Sequence, residues 1–350
     1  MSITTLPFGT LSDGRAIEQY TLSHAGLLCR IITYGGIITE LHVPDREGKV
    51  NDIVLGCPSL AAYEAGHPYF GAITGRVAGR INRGRFELDG VTYPLPLSQP
   101  PNHLHGGITG FDKRVWQASP GKTSEGEPSL RMSYHSPDGE EGYPGNLDIS
   151  VTYTLTNNAS LKIDYEAVTD APTPFNPTNH SYFNLAGEEA DQTIADHHIQ
   201  ILADRMVLMA DDIGTLEEKV SPVEGTIHDF RQSRSLAEFI APPLHTHGEN
   251  YLFEEGKVSE PRLCAIVKHP ASGRIMTVST SESGVQLYTG KFLAESELTG
   301  KSGHAYRQHG ALCLECQGMP NGVNTPEIDD IVLRPGSTYH QTTVYSFSTE

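Results

Sequence analysis

Cysteine is scarce in this chain: five residues in 350, at Cys29, Cys57, Cys264, Cys313 and Cys316. An odd, dispersed set excludes a disulfide-stapled scaffold. Cys313 and Cys316 form a formal C-x-x-C, yet Ala311-Leu312-Cys313-Leu314-Glu315-Cys316 reads as an apolar strand. A redox pair wants that motif opening a helix. Long apolar runs are lacking too, and none approaches the roughly 18 residues of a membrane span. The first nine residues hold no basic stretch followed by an apolar one, so no signal peptide is expected and the cytoplasm is the expected compartment. Positive charge is in deficit, with 25 Lys plus Arg against 43 Asp plus Glu and a net charge of −18. A field of that sign repels phosphate backbones and anionic lipid, so neither nucleic acid nor a membrane is expected as partner.

Several catalytic signatures are missing as well. There is no G-x-S-x-G elbow, no G-x-G-x-x-G after a strand and no H-E-x-x-H. Gly284 to Gly290 followed by Lys291 imitates a phosphate loop. It has five residues between the glycines instead of four, and Phe292 stands where Ser or Thr belongs.

What the chain does have is turn-forming residues and alternation. The 35 Gly and 23 Pro are scattered, and hydrophobic (37%) and charged (19%) fractions are those of a globular protein. Period-two patterning runs through 27–42, broken at Gly35-Gly36, and through 130–134, 147–155, 161–168, 199–202, 262–267, 275–279, 285–288, 312–316 and 338–347. Residues 85–88 and 91–93 flank Asp89-Gly90, a strong hairpin signal. Helical periodicity is confined to 60–65 and 235–240. With no short repeat and no linker, the expected fold class is all-β: one large antiparallel β-sandwich over 1–350, with few short helices.

The 16 histidines include the close pairs His103/His105, His197-His198 and His245/His247. A strand would put both members of an H-x-H on one face, but no third ligand follows at metal-site spacing, so no metal is expected. Four strings hold polar groups in apolar or turn-rich surroundings. Glu315 lies in the apolar 312–316 strand, as a working carboxylate or on a solvent face. His180 lies in Asn179-His180-Ser181-Tyr182-Phe183-Asn184-Leu185 after Pro172, Pro174 and Pro177, as an oriented acid or a satisfied core histidine. Asn102-His103-Leu104-His105-Gly106-Gly107 has glycines that would let a ligand approach the backbone. Arg76, Arg80 and Arg83 lie in the glycine-punctuated 75–84 stretch, a cationic patch or a solvated turn.

Together with Ile32-Thr33-Tyr34-Gly35-Gly36, Gly110-Phe111-Asp112-Lys113, Ser136-Pro137-Asp138-Gly139-Glu140-Glu141-Gly142-Tyr143-Pro144-Gly145 and Val285-Gln286-Leu287-Tyr288-Thr289-Gly290, these strings resemble the aldose 1-epimerase (galactose mutarotase) family nearly end to end. The resemblance implies a galactose mutarotase-like supersandwich that interconverts the α and β anomers of free aldoses without cofactor or metal. It implies Glu315 as general base, His180 as general acid, and Arg80, His105 and Gln286 as substrate-binding residues, with Glu315 ionised and His180 cationic when sugar arrives. The implied partner is a small-molecule free aldose such as galactose or glucose, and the protein a monomer or homodimer. Two departures bear on specificity. Gly79 stands where the family usually has Asn. The family's sugar-binding aspartate string aligns with 245–253, where Glu249 is the candidate replacement. Ser98-Gln99-Pro100-Pro101 also stiffens the approach to Asn102. The competing readings are a non-catalytic carbohydrate-binding sandwich, a glycoside hydrolase using Glu315 with a second carboxylate, and an epimerase of hexose 6-phosphates, which needs more cations.

Overall fold

The computed structural model describes residues 2–190, 192–209, 216–241, 248–296, 298–325 and 330–350. The architecture is an all-β sandwich built from three large antiparallel sheets. A nine-stranded sheet runs in the order Gln117–Lys122, Pro128–Ser136, Leu147–Leu155, Ser160–Thr169, Tyr339–Thr349, Arg274–Thr280, Arg262–His269, His198–Ile201 and Arg234–Ser235. A five-stranded meander holds the N-terminus, from Ser2–Thr10 through Ala16–His24, Leu27–Ile32 and Ile38–Pro44 to Val50–Asp52. The other five-stranded sheet is ordered Leu216–Pro222, Arg205–Met209, Glu249–Leu252, Gly284–Tyr288 and Cys313–Gln317.

One apolar core joins all three sheets. Leu22, Cys29 and Leu41 of the N-terminal meander meet Met132, Val151 and Ile163 of the nine-stranded sheet, and the same cluster takes in Val285, Leu287, Leu314 and Cys316. In strands such as Arg274–Thr280 the alternation in the sequence is alternation in burial, whereas Cys313–Gln317 is buried on both faces. The Asp89-Gly90 hairpin forms with Arg85 opposite Pro94 and Leu88 opposite Val91.

One expectation changes. The 235–240 segment is a two-residue strand, Arg234–Ser235, followed by one turn closed by Ile240 N–H donating to the Leu236 carbonyl at 3.0 Å. Only Leu60–Ala65 forms an α-helix among the described residues, capped by the Ser59 hydroxyl. The strand Ser2–Thr10 was not legible because it packs along the outside and alternates weakly in burial. No helix among the described residues is long and apolar enough to cross a membrane.

The strand that positions the site is Cys313–Gln317, at the edge of its sheet. Its free edge is covered by side chains. Thr178 Oγ1 and Gln341 Nε2 both donate to the Cys316 carbonyl, and Tyr345 Oη donates to that of Leu314. The pleat sends Leu314 and Cys316 into the main core, which turns Cys313, Glu315 and Gln317 to the opposite face.

Candidate functional site

Above that opposite face lies a cavity of about 180 Å³ lined by Glu315, His180, His105, Arg80, Gln286 and Gln317 among others, with Tyr69, Tyr182, Tyr288 and Phe292 as aromatic walls. A larger, shallower groove of about 530 Å³ crosses the outer face of the nine-stranded sheet. Its His135 and Asp148 are already paired at 2.7 Å, so the smaller cavity is where unspent polar groups converge.

Each site residue is placed by a local device. Asn179 fixes the backbone around His180: its Nδ2 donates to the Gly71 carbonyl, and its Oδ1 accepts from the Ser181 N–H and hydroxyl. His180 N–H donates to the Ala72 carbonyl and its own carbonyl accepts from Gly71. The ring packs against Tyr182 (5.0 Å) and Tyr69 (5.8 Å), with Cys313 Sγ 3.6 Å from Nδ1. Its Nε2 lies 3.5 Å from Glu315 Oε1, the edge of hydrogen-bond range. Glu315 sits opposite Gln286 across the strand pair. Arg80 donates through Nε to Gln99 Oε1 at 2.8 Å, and Gln99 is itself held in a tight turn with Asn102. That turn is what the unusual Gln99-Pro100-Pro101 string builds, and Gln99 was not expected to orient an arginine.

Burial sets the protonation states. Glu315 is 3% and His180 4% exposed. Desolvation lifts the Glu315 carboxyl from 4.5 to about 8, opposed by the nearby Arg80 cation. Desolvation also drops the His180 imidazole from 6.5 to about 4. Burial therefore works against the ionised Glu315 and cationic His180 expected when sugar arrives. In the empty, dry cavity the neutral pair is favoured, and from about pH 4 to about 8 the two side chains hold one proton between them.

Other expected groups are placed differently. His103 and His105 do not share a face: His103 bonds the Pro96 carbonyl and the Tyr143 hydroxyl, both at 2.8 Å. His105, at φ +50°, turns its ring into the cavity. Gly106 serves a chain crossing and Gly107 makes room for the Glu141 carboxylate, neither of them ligand approach. A Cβ on Gly106 would meet the Gly75 carbonyl oxygen at 1.7 Å, and one on Gly107 would meet Glu141 Oε2 at 2.1 Å. Arg76 is a structural cation. Buried to 2% exposure, it donates to Ser136, Pro137, Pro144 and Thr173, tying the ends of the Ser136-to-Gly145 string together. Arg83 does not line the cavity, whereas Arg80 does.

Glu249, expected among the substrate-binding residues, does not line the cavity. It pairs with Leu287, so it shares the core face with Leu287 and Tyr251, and its Oε1 lies 3.6 Å from His228 Nδ1. The pleat carries it away from the cavity, and its neighbour Asn250 takes the face of Gln286. Among the described residues lining the cavity, Glu315 is the one acid. His245 and His247 lie outside the described residues.

Ligand atoms of His105, His180 and Glu315 lie within 4.8 Å of one another. The trio is nonetheless poorly built for a metal. Gly79 N–H donates to His105 Nδ1 at 3.2 Å, so the neutral ring carries its proton on Nε2 and offers no free lone pair. The Asp196, His197 and His269 group is spent internally, with both rings bonded to Asp196 and His197 Nε2 accepting from Leu185 N–H. The arrangement suits proton transfer to and from a neutral, hydroxyl-rich ligand between aromatic walls.

Comparison with known proteins agrees with that chemistry. The family model described as aldose 1-epimerase matches residues 18–346. Galactose mutarotase of Rattus norvegicus is 46% identical over 99% of both chains, and aldose 1-epimerase of Escherichia coli (strain K12) 35% over 97% of both. Among solved structures, an aldose epimerase homologue from C. elegans superposes with a TM-score of 0.84 at 30% identity, covering 94% of this chain and 98% of that one. Galactose 1-epimerase from Lactobacillus acidophilus gives 0.84 at 25% identity over 99% of both.

Proposed function

The chain belongs to the aldose 1-epimerase family and is an isomerase that interconverts the α and β anomers of free aldoses; from that premise we propose that Glu315 and His180 are its acid–base pair, acting on aldoses such as galactose and glucose. One proton leaves the C1 hydroxyl as another reaches the ring oxygen. The bond from C1 to the ring oxygen breaks and a C1 carbonyl forms. Rotation about C1–C2 presents the other carbonyl face, and the reverse transfers close the ring.

The observation that carries this reading is the buried pair itself, His180 Nε2 and Glu315 Oε1 3.5 Å apart at the wall of the cavity. Starting from ionised Glu315 and protonated His180, Glu315 takes the hydroxyl proton and His180 supplies the ring oxygen. The pair is then neutral, the arrangement burial favours, while the sugar is open. Arg80 and the sugar's own hydroxyls offset the cost of the charged arrangement when the ring is closed. Such a pair is worth roughly 10² to 10⁴ in rate per group. Arg80, His105 and Gln286 then hold hydroxyls and the ring oxygen, His105 through the Nε2 proton its Gly79 contact enforces.

A glycoside hydrolase would need a second carboxylate across the cavity, roughly 5 to 10 Å from the first. Glu249, the candidate, faces the core instead. The test is NMR exchange spectroscopy between α and β signals of galactose and glucose. Exchange should collapse in Glu315→Gln and in His180→Asn; a folded Glu315→Gln protein with intact exchange would refute the assignment.

A further inference from the structure

Gln317 ends the strand Cys313–Gln317 two residues beyond Glu315, and therefore on the cavity face. It lines the cavity, is 0% exposed, and neither its Oε1 nor its Nε2 has a hydrogen-bond partner. Gln286 Oε1, on the neighbouring strand, is unsatisfied as well. Buried amides without partners are rare and destabilising, so such a group at the wall of a cavity calls for a ligand. An amide both donates and accepts, as a sugar hydroxyl does.

The reason this amide lacks a partner is visible on either side of it. Gln317 sits opposite Gly284, which has no side chain to offer. On the other side is Gly79, at φ +72°, where a Cβ would stand 3.3 Å from Gln317 Nε2. Asn is the side chain that best tolerates a left-handed backbone. An asparagine in this place would stand against the Gln317 amide and fill the space beside it. In this chain that space is open to the cavity, which Gly79 and Gln317 both line.

Resting on the epimerase reading, we propose that Gln317 is a sugar-binding residue, hydrogen-bonding a hydroxyl of the bound aldose in the space that Gly79 leaves open. The pair Gly79 and Gln317 then sets specificity on that side of the ring, in favour of a neutral hydroxyl-bearing group over a charged one.

The test measures kcat and KM for galactose and glucose by NMR exchange, with thermal midpoints, on wild type, Gln317→Leu, Gly79→Asn and the double variant. Gln317→Leu should raise KM about tenfold, the worth of one lost hydrogen bond, and leave kcat within about threefold. Its midpoint should not fall, because leucine removes two unsatisfied polar atoms. Gly79→Asn should also raise KM, and Gln317→Leu should add nothing on top of it. A folded Gln317→Leu protein with KM unchanged, or one that loses stability while KM stays put, would overturn the proposal. Calorimetric titration with galactose keeps the two readings separate. A wild type that binds sugar without anomer exchange overturns the catalytic reading, while Gln317→Leu affinity still decides this one. A wild type that does neither overturns both.

Discussion

Replacing Glu315 by Gln should stabilise the protein while disabling it, and the gain should depend on pH. The unfolded carboxyl ionises near 4.5, whereas burial holds the folded one near 8. Between those values the folded protein keeps a proton that the unfolded chain has released, so stability falls as pH rises, by about 1.4 kcal/mol per pH unit. There is no penalty below 4.5, the loss accumulates up to about 8, and at pH 7 it reaches about 3 kcal/mol. Glutamine carries no such term. His180 works in the opposite sense: folded neutral down to about 4 but protonated below 6.5 when unfolded, it makes stability rise with pH only under 6.5. The clean window is therefore pH 6.5 to 8, where the advantage of Glu315→Gln over wild type should grow by about 2 kcal/mol. Urea unfolding of both proteins across that window reads the difference, and its slope is insensitive to the fixed cost of burying a new amide N–H₂. In the same samples, anomer exchange should fall by roughly 10² to 10⁴. A stability difference that is flat with pH would refute the argument that the cavity is dry enough to hold the proton.

The pH profile of kcat/KM for galactose should be a plateau from about 4 to about 8. Below it His180 gains a proton and no base is left; above it Glu315 loses its proton and no acid is left. Limbs at the ordinary values of 4.5 and 6.5 would contradict this. Arg76→Met should lower stability by roughly 1 to 3 kcal/mol for each buried acceptor left unsatisfied on Ser136, Pro137, Pro144 and Thr173. Urea midpoints check the loss, and KM of the folded fraction should hold. Glu249→Gln should leave KM for galactose within about twofold, since the side chain faces Leu287 and His228, not sugar; a tenfold rise would place it in the site after all.

Much of the β architecture was legible because alternation is a local property. Strands such as Leu147–Leu155 and Arg274–Thr280 appear where period-two patterning placed them. The strand Ser2–Thr10 escaped because little of it enters the core. Glu315 and His180 were legible as polar residues in unusual strings, and the resemblance supplied their expected roles. Tyr69 and Gln317 were not, since nothing in their local sequence marks them, and Gln99 stood out only as part of a stiff Pro-Pro approach. Tyr69 reaches the His105 and His180 rings only through a loop at φ +62°. Gln99 matters only because Arg80 lies across from it.

By itself, then, the sequence determined the periodicities, the turn residues, the deficit of positive charge and the short list of candidate acids and bases. Only the tertiary structure decided which candidates meet, which face each one takes and which protons they hold. It brought Glu315 to His180 across a long stretch of chain and turned Glu249 into the core by one step of the pleat. It also assigned Gly106 to a backbone crossing. The reason is physical. Alternation is fixed by neighbouring residues along the chain, whereas desolvation depends on everything folded around a group. That desolvation raises the proton affinity of this glutamate and lowers that of this histidine.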